Sequence, residues 1–585
     1  MGKTMQRRQF FNSLAKKSNQ PLHTDIINSQ TVEKNFTATN PSSTLRTTGT
    51  ESGVSMYTGI WTEKEMLHLL RRVTFGATKA SVDQIKGMTM SAAVDFLIDN
   101  PVQPGTTPVN VYTAVADTGG VAFGSSWIDA NLPDPTDGTV RNTLNNSRVG
   151  ASFKPWWMGQ MINQKTHILE KITLFWANHF GTNTGITYAK AIHQHYKILR
   201  TYGLTNFKDL MKQVTIDPHM LYFLSGYTNV KTAPNENYGR EMQELFMVGK
   251  GPDSHYTEAD VQLAAKVLTG WRVTQNTATG VYTSGFNSTY HDSSDKKFDG
   301  FYNTTTIKGI TDSTGGNETD SLLDMILQTD ECAKYIVRRL YIWFVYYNIT
   351  ADVEANVITP LAVIFRTSNY NIPTLLKALF KSEHFFDTNN FGSIIKSPVD
   401  MYVSMVREFN LTLAASPVDM QYAHWKSFSD KCNTEAQNIG DPPNVAGWPA
   451  YYVVETNFYE TWMSNATIQV KAKNLNAFTN GGVTVSGVKL KVDSVAFTKQ
   501  FSNAGDPNAL IADFILYLLP ADLSQPQKDY MKAIMLNNQV NDAYWTSAWN
   551  AYLAAPTDTG ALGLVQKRLD TVLNYVTSLA EYFLY

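Results

Sequence analysis

The amino-acid sequence predicts a mainly α-helical protein, a large multi-helix body that carries two small β-hairpin inserts. Apolar residues recur with helical spacing from Thr62 to Leu268 and, in several stretches, from Ser321 to Leu584. Two segments, near 271–306 and 481–494, alternate Thr, Tyr, Val and Gly in the way that is typical of short strands. No fixed-period repeat is present, which argues against a solenoid.

The first helix is predicted to begin at Thr62, because Thr62 and Glu65 form a capping-box pattern ahead of an apolar face. The segment Pro101–Asp137 is rich in Gly, Pro, Asp and Thr and is predicted to be a loop. Turn signals at Thr279 and Gly280 divide the first β insert. The other helices are predicted over Ser81–Lys86, Ser91–Ile98, Trp156–Asn163, Ile168–Phe180, Ala189–Tyr202, Phe207–Ile216, Asn237–Val248, Thr257–Leu268, Ser321–Phe386, Pro398–Phe409 and Pro507–Leu584.

Composition excludes several classes of protein. Of the 585 residues 43% are hydrophobic and 17% are charged, and 49 Lys plus Arg against 51 Asp plus Glu give a net charge of −2. This balance gives no electrostatic reason to bind nucleic acid or anionic lipid. No run of about 18 apolar residues occurs, so we predict no transmembrane segment. Cys332 and Cys432 exclude a disulfide scaffold and a Cys-based metal centre, and we expect both to be unpaired.

The chain is predicted to divide into an N-terminal arm, residues 1–58, and a single helical body, residues 59–585. Residues 37–53 have no apolar period and are rich in Ser, Thr and Gly, so we expect the arm to be disordered or held by a partner.

The arm begins with a segment that resembles a twin-arginine export signal. Arg7 and Arg8 are followed, after one residue, by Phe10 and Phe11. Such a signal continues into an apolar stretch of about 7–15 residues, but here the polar residues 13–20 follow. The segment is therefore a degenerate export signal, a signal that serves a co-exported partner, or a basic tail.

The helix predicted over Asn237–Val248 holds charged side chains next to an apolar run. Glu241 and Glu244 share a face with Asn237, and Arg240 lies one turn from both Glu236 and Glu244. Charges beside a buried segment must be paired, bound to a ligand or solvated in a cleft.

Three alternatives follow for this helix. In a buried ion-pair network, Arg240 holds Glu244 and Arg71 or Arg72 holds Glu241. In an active site, Glu241 or Glu244 acts as acid, base or metal ligand. In the third alternative the helix is an exposed surface element.

His179 is the second candidate, because it ends an apolar, aromatic helix. A histidine there is either a cap stabilised by the helix dipole or a base or ligand beside the carboxylates. The candidate catalytic residues are thus His179, Arg240, Glu241 and Glu244, with a divalent metal as one alternative. The candidate substrate-binding residues are Asn178, Asn235, Asn237 and Trp448. Trp448 is expected to be exposed or half-buried, where it either stacks on a sugar or anchors its loop.

Six segments occur in an order that resembles one bacterial family, the domain of unknown function 1800. The segments are Leu69–Gly76, Glu170–Phe180, Pro234–Glu241 running on to Gly249, Tyr256–Val261 with Leu268–Trp271, His291–Asp292 with Lys296–Gly300, and Pro442–Pro449. The resemblance implies a mostly helical bacterial protein, often exported and often encoded beside a sulfatase-like companion. It implies no established activity. The family often has His where this chain has Ala177, so a metal site built on both histidines would be incomplete here.

Two classes of function remain open. No Gly-x-Ser-x-Gly elbow, Walker loop, HExxH motif or Rossmann fingerprint is present, and no complete catalytic constellation can be written. The sequence therefore favours an exported assembly or binding protein in the periplasm or at the cell surface, with a protein partner such as the sulfatase-like companion. The alternatives are an exported enzyme that acts on an extracellular polymer by carboxylate and histidine chemistry, and a cytoplasmic location.

Overall fold

A computed structural model describes the chain over residues 52–99, 105–113, 117, 119–128, 130, 138–276, 278–451, 462–463 and 465–585. All of these residues belong to the second of two compact units, Met1–Thr48 and Gly49–Tyr585. Most of the predicted arm therefore lies outside the described residues, and so does part of the loop predicted over Pro101–Asp137. The predicted fold class, mainly α with small β hairpins, is confirmed.

The first part of the body is helical, and its helix boundaries follow the sequence signals closely. Thr62 caps the first helix, with Glu65 completing the capping box as predicted. Thr257 and Asp260 form a second capping box. The helices are Glu63–Val73, Lys79–Ile85, Met90–Asp99, Gly138–Ser147, Lys154–Asn163, Leu169–His179, Ala189–Tyr202, Phe207–Thr215, Pro218–Phe223, Glu236–Glu241 and Glu258–Val267.

The first predicted β insert contains two separate antiparallel pairs. Strand Trp271–Asn276 pairs with Val281–Phe286, with Trp271 opposite Phe286 and Asn276 opposite Val281. A shorter pair joins Lys296–Lys297 to Thr306–Ile307. The second insert is one hairpin, Val483–Val485 with Val488–Leu490, as predicted.

Helices return after the first insert and continue to the end of the described chain. They are Glu318–Leu327, Asp330–Phe344, Ala351–Val353, Thr359–Thr367, Ile372–Phe380, Pro398–Glu408, Val418–Thr434, Asn465–Thr479, Ser494–Thr498, Pro507–Leu518, Gln525–Met535, Ala543–Ala554 and Thr559–Ser578. One hydrophobic core extends through these elements from Met66 to Phe583. Helix Leu169–His179 is buried along nearly its whole length and carries Lys171, Asn178 and His179, which are discussed below.

Two extended segments near the ends of this unit are tied to the helical body by main-chain hydrogen bonds. The amide of Tyr57 donates to the carbonyl of Lys381, and the Tyr57 ring packs on Phe386. At the other end, Ile394 and Tyr585 exchange main-chain hydrogen bonds.

The core encloses a charged pair. Lys171, on helix Leu169–His179, donates to Asp400, and both side chains are almost fully buried. The Tyr585 hydroxyl donates to the other oxygen of Asp400 at 3.1 Å, and the Lys171 ammonium also lies 5.0 Å from the ring centre of Phe75. Burial lowers the pKa of Lys171, and Asp400 opposes that shift. The buried ion pair is therefore supported by the hydrogen bond from Tyr585 and by the ring of Phe75.

Both cysteines are free and buried, as predicted, and burial raises the pKa of each thiol. None of the helices in the described part of the chain combines the length and apolar character that crossing a bilayer requires.

Candidate functional site

The predicted charged helix begins at Glu236, where Asn235 caps it. The Asn235 side chain accepts a hydrogen bond from the amide of Asn237 at 3.0 Å. The side-chain amide of Asn237 donates to the carbonyl of Leu224 at 3.2 Å. Both asparagines, predicted to bind substrate, therefore have contacts that fix the start of the helix.

The helix changes its winding midway. Glu236–Glu241 is α-helical, and Met242–Met247 continues it as a π-helix, a wider turn that is often found at functional sites. We call the whole element, Glu236–Met247, the acidic helix. Glu241 and Glu244 lie on it and are 5% and 6% exposed.

The charges of the acidic helix form ion pairs. Arg240 contacts Glu258 at 2.6 Å and Glu236 at 3.0 Å, and its distance to Glu244 is 3.8 Å. Glu244 has a closer partner in Lys250, at 2.8 Å. The hydrogen bond to Glu258 raises the pKa of Arg240, so this guanidinium stays charged. The predicted pair of Arg240 with Glu244 is thus the longest of its three.

Arg71 and Arg72, the arginines that the sequence offered to Glu241, donate hydrogen bonds to main-chain carbonyl groups. Arg71 donates to the carbonyl of Leu516 at 2.7 Å, and Arg72 donates to the carbonyl of Val345 and to the Ser393 hydroxyl. The pairing of Glu241 with Arg71 or Arg72 therefore stays a prediction. A helix's own spacing cannot indicate which distant arginine reaches it.

His179 ends helix Leu169–His179 and is 1% exposed. Its Nε2 lies 3.0 Å from the carbonyl of Phe246 on the acidic helix, so Nε2 carries the proton and donates. Burial, and next the charge of Arg339, lower the pKa of His179 to about 3. His179 is therefore neutral near pH 7, a state that does not favour a cap stabilised by the helix dipole. The Nδ1 atom of the ring is buried, and no residue in the described part of the chain forms a hydrogen bond with it.

The loop Pro442–Pro449 sits on the end of the same helix. The amide of Trp448 donates to Asn178 Oδ1 at 2.8 Å. Gly447 has φ +95°, and a Cβ there would collide with the side-chain and main-chain oxygens of Asn178. The Nδ2 atom of Asn178 and the indole N–H of Trp448 are buried, and neither has a hydrogen-bond partner among the described residues.

Trp448 corrects one expectation. It is 1% exposed rather than exposed or half-buried, because its amide is fixed to Asn178 and its ring enters the core. This burial matches the alternative in which Trp448 anchors its loop, and a sugar would reach the ring only if the loop moved.

The structure thus brings the candidates to one region in two separate sets. In the first set, His179 meets the acidic helix through the main chain of Phe246, and Tyr335 contacts both of them. Its hydroxyl donates to the carbonyl of Leu245 at 2.7 Å, and its ring centre is 6.2 Å from that of His179. Asn178 and Trp448 form the second set. Among the described residues, no group of three or more His, Cys, Asp or Glu side chains could hold a metal ion.

The sequence analysis missed a second buried polar cluster. His195 Nδ1 lies 2.9 Å from Asp217 Oδ2, and His219 Nδ1 lies 2.6 Å from the Thr187 hydroxyl. The two imidazole ring centres are 5.3 Å apart. Burial lowers the pKa of His219 to about 3. The signal that could have indicated it was Asp217 followed by Pro218, which marks a helix start beside a histidine.

Comparison with known proteins identifies the family. The profile of the family described as "Protein of unknown function (DUF1800)" matches residues 68–583, which is most of the chain. The chain belongs to this family, as its six segments predicted. No curated protein and no solved structure matches it.

Proposed function

We propose that this protein is an exported assembly or binding protein that works with a secreted or cell-surface partner, the sulfatase-like companion. The observation that carries the proposal is that charged side chains of the acidic helix form ion pairs with other residues of the chain. Arg240 is held by Glu258 and Glu236, and Glu244 by Lys250, so these charges have partners within the chain. A catalytic helix would instead offer charged groups to an open cleft.

The state of His179 supports the same proposal. A general base works best when its pKa lies near the operating pH. Burial lowers the pKa of His179 to about 3, and its Nε2–H is engaged by the carbonyl of Phe246. The ring therefore accepts a proton only weakly near pH 7.

The surface of the last helices offers a contact area for the partner. Helices Gln525–Met535 and Ala543–Ala554 both pack on Thr559–Ser578. Large apolar side chains that remain exposed on these helices and their connections are Tyr530, Val540, Tyr544, Leu553 and Leu564. Exposed apolar groups concentrated in one part of a protein are typical of protein–protein contacts.

Co-purification tests the proposal. The full chain is co-expressed with a sulfatase-like companion of the kind that is often encoded beside members of the family, and the tagged companion is purified. We expect the wild-type chain to co-purify and Tyr544→Glu/Leu564→Glu to bind about 10-fold more weakly or worse, because buried charge opposes an apolar interface. Val363→Glu is the matched control, since Val363 is 56% exposed on a different helix. Failure of the wild-type chain to bind the companion refutes the proposal.

Export has its own test. Arg7→Lys/Arg8→Lys removes the pair that resembles a twin-arginine signal and keeps the charge. We expect the variant to accumulate in the cytoplasmic fraction while the wild-type chain is recovered outside it. Equal distribution of both proteins contradicts recognition through Arg7 and Arg8.

The second candidate is an exported enzyme that acts on an extracellular polymer. Two observations favour it: the π-helical turn beside Glu241 and Glu244, and the unpartnered Nδ1 of His179 and Nδ2 of Asn178. Glu241→Gln keeps the shape of the side chain and removes its charge. If this variant loses metal content or hydrolysis of a polymer substrate while companion binding is unchanged, the enzyme is the better description.

A further inference from the structure

A large cavity lies at the N-terminal end of helix Leu169–His179. His179, which contacts the acidic helix, is at the opposite end of this helix. Its volume is about 1070 Å³, at the upper end of the range of ligand pockets. Its walls come from helices Lys154–Asn163, Ala189–Tyr202, Pro398–Glu408 and Val418–Thr434 in addition to Leu169 and Glu170. None of the predicted site residues lines it.

Arg407 is a cation in the wall that feels the charge of Glu408 but forms no ion pair with any of the described residues. Its Nε donates to the carbonyl of Phe75 at 2.9 Å, and its Nη1 donates to the carbonyls of Ile162 and Gln164. No carboxylate among the described residues forms an ion pair with it, and no acceptor there takes a hydrogen bond from Nη2. Burial lowers the pKa of Arg407 to about 10, so it is still charged near pH 7. A buried guanidinium is stable when its remaining donors meet an anion.

The charged side chains that line the cavity carry a net positive charge. Glu170 supplies the one carboxylate of the described lining, and Arg200 pairs with it at 2.8 Å. Lys165, which is exposed at the cavity, and Arg407 are left as a surplus of two positive charges. The cavity therefore attracts an anionic ligand.

An aromatic wall completes the site. Trp425 and Tyr422 line the cavity with their ring centres 5.0 Å apart. Gly159 lets the Trp425 ring pack closely on helix Lys154–Asn163, because a Cβ at this position would approach the ring to 2.5 Å. Side chains with amide and hydroxyl groups stand around these rings; they are Thr106, Thr107, Gln160, Asn163, Gln164 and Gln421.

We propose that this cavity binds an anionic saccharide of a few sugar units. Its carboxylate or sulfate group meets Nη2 of Arg407, a sugar ring contacts the 6% of Trp425 that stays exposed, and its hydroxyls bond to the surrounding amides. The volume accommodates more than one ring, and aromatic rings beside amides suit a ligand that is apolar on its faces and polar on its edges. This proposal is independent of partner binding.

Calorimetric titration of the full-length protein tests the proposal with four probes. Trigalacturonate carries carboxylates, neocarratetraose disulfate carries sulfate esters, maltotriose is a neutral saccharide, and citrate is an anion without sugar rings. We expect one or both anionic saccharides to bind at least about 10-fold more tightly than maltotriose and citrate, because charge and ring contacts both contribute. The anionic saccharide that binds more tightly shows whether the site prefers a carboxylate or a sulfate ester. Equal binding of citrate, or no binding of either anionic saccharide, overturns the proposal.

Two variants place the binding in this cavity. Arg407→Gln should weaken binding of the preferred saccharide at least about 10-fold. Because Arg407 also holds three carbonyls, Lys165→Gln is the second variant; it should weaken binding about 3-fold and reduce its salt dependence. Lys197→Gln makes the same charge change at an exposed position outside the cavity and should bind like the wild type. Wild-type affinity in Lys165→Gln together with a folded, wild-type-like Arg407→Gln overturns the assignment.

Discussion

The acidic helix and the buried pair Lys171–Asp400 both hold carboxylates in ion pairs, but they differ in depth and in sequence separation. Arg240 keeps 22% of its side chain exposed, and its partner Glu258 keeps 70%. Lys171 and Asp400 keep 0% and 5%. The partners of Arg240 lie 4 and 18 residues away, whereas Lys171 and Asp400 are 229 residues apart.

The difference shows that a high density of charge in the sequence does not indicate where charge matters most for stability. Water already solvates much of the Arg240 group, so each ion pair there adds little. The pair Lys171–Asp400 has lost its water, so either partner left alone would be a buried, uncompensated charge. Of the four effects predicted below, the largest and the smallest test this difference directly.

The largest effect is expected at the buried pair. Lys171→Met leaves Asp400 in the core without its cation and should lower the free energy of unfolding by about 3–5 kcal/mol. Denaturant unfolding followed by near-ultraviolet circular dichroism measures it. The double variant Lys171→Met/Asp400→Leu removes both charges and should recover most of the loss. A loss below about 1 kcal/mol in the single variant would remove the contrast with the acidic helix.

A packing change at the candidate site should come second. Gly447→Ala places a Cβ against Asn178 and forces Ala to adopt φ +95°. Strain and overpacking together should cost about 2–3 kcal/mol, measured as above. Gly487→Ala is a control for φ alone, because Gly487 has φ +79° and open space around it. If the two variants lose the same stability, the close approach of the loop to Asn178 contributes nothing.

The third effect depends on pH. The pKa of His179 is about 3 in the folded protein against an ordinary value of 6.5. Between these values the unfolded chain binds the proton and the folded chain does not, so stability is complete above pH 6.5 and falls as the pH decreases. His179→Gln should reduce the slope of unfolding free energy against pH by up to about 1.4 kcal/mol per unit between pH 6 and 4. His193 and His219, with pKa values lowered to about 4 and 3, keep part of the slope. An unchanged slope would mean that folding does not lower the pKa of His179.

The smallest effect is expected at the acidic helix. Arg240→Ala removes three ion pairs, but solvent screens them, so we expect a loss of about 1 kcal/mol or less. Thermal and denaturant unfolding beside Lys171→Met give the comparison directly. Glu258→Gln is the matched variant and should cost no more than Arg240→Ala. A loss of about 3 kcal/mol or more would make the acidic helix a buried network after all.

The sequence predicted local features well and long-range contacts poorly. Capping at Thr62, the helix Ala189–Tyr202 and the second hairpin depend on neighbouring residues, so the patterns indicate them directly. The pairing of Arg240 with Glu236 follows from helical spacing in the same way.

The rest depends on which elements meet. Glu258 reaches Arg240 because a second helix packs beside the first, and no spacing rule includes it. Trp448 is buried because its loop is fixed to Asn178, although its sequence is typical of an exposed loop. The cavity lined by Arg407 and Trp425 combines helices that are far apart in the chain, so neither residue stood out among the motifs.

The hydrogen bond from Tyr585 to Asp400 also has a consequence for the time at which the protein can fold. The ribosome makes Lys171 414 residues before Tyr585, and Asp400 is made 185 residues before it. Until Tyr585 emerges, one oxygen of Asp400 has the Ser397 hydroxyl but lacks its tyrosine donor, and closing the core around it would leave a charged group with fewer hydrogen bonds. Helix Leu169–His179 can form early, but we expect its ion pair to stay hydrated until Tyr585 has left the ribosome.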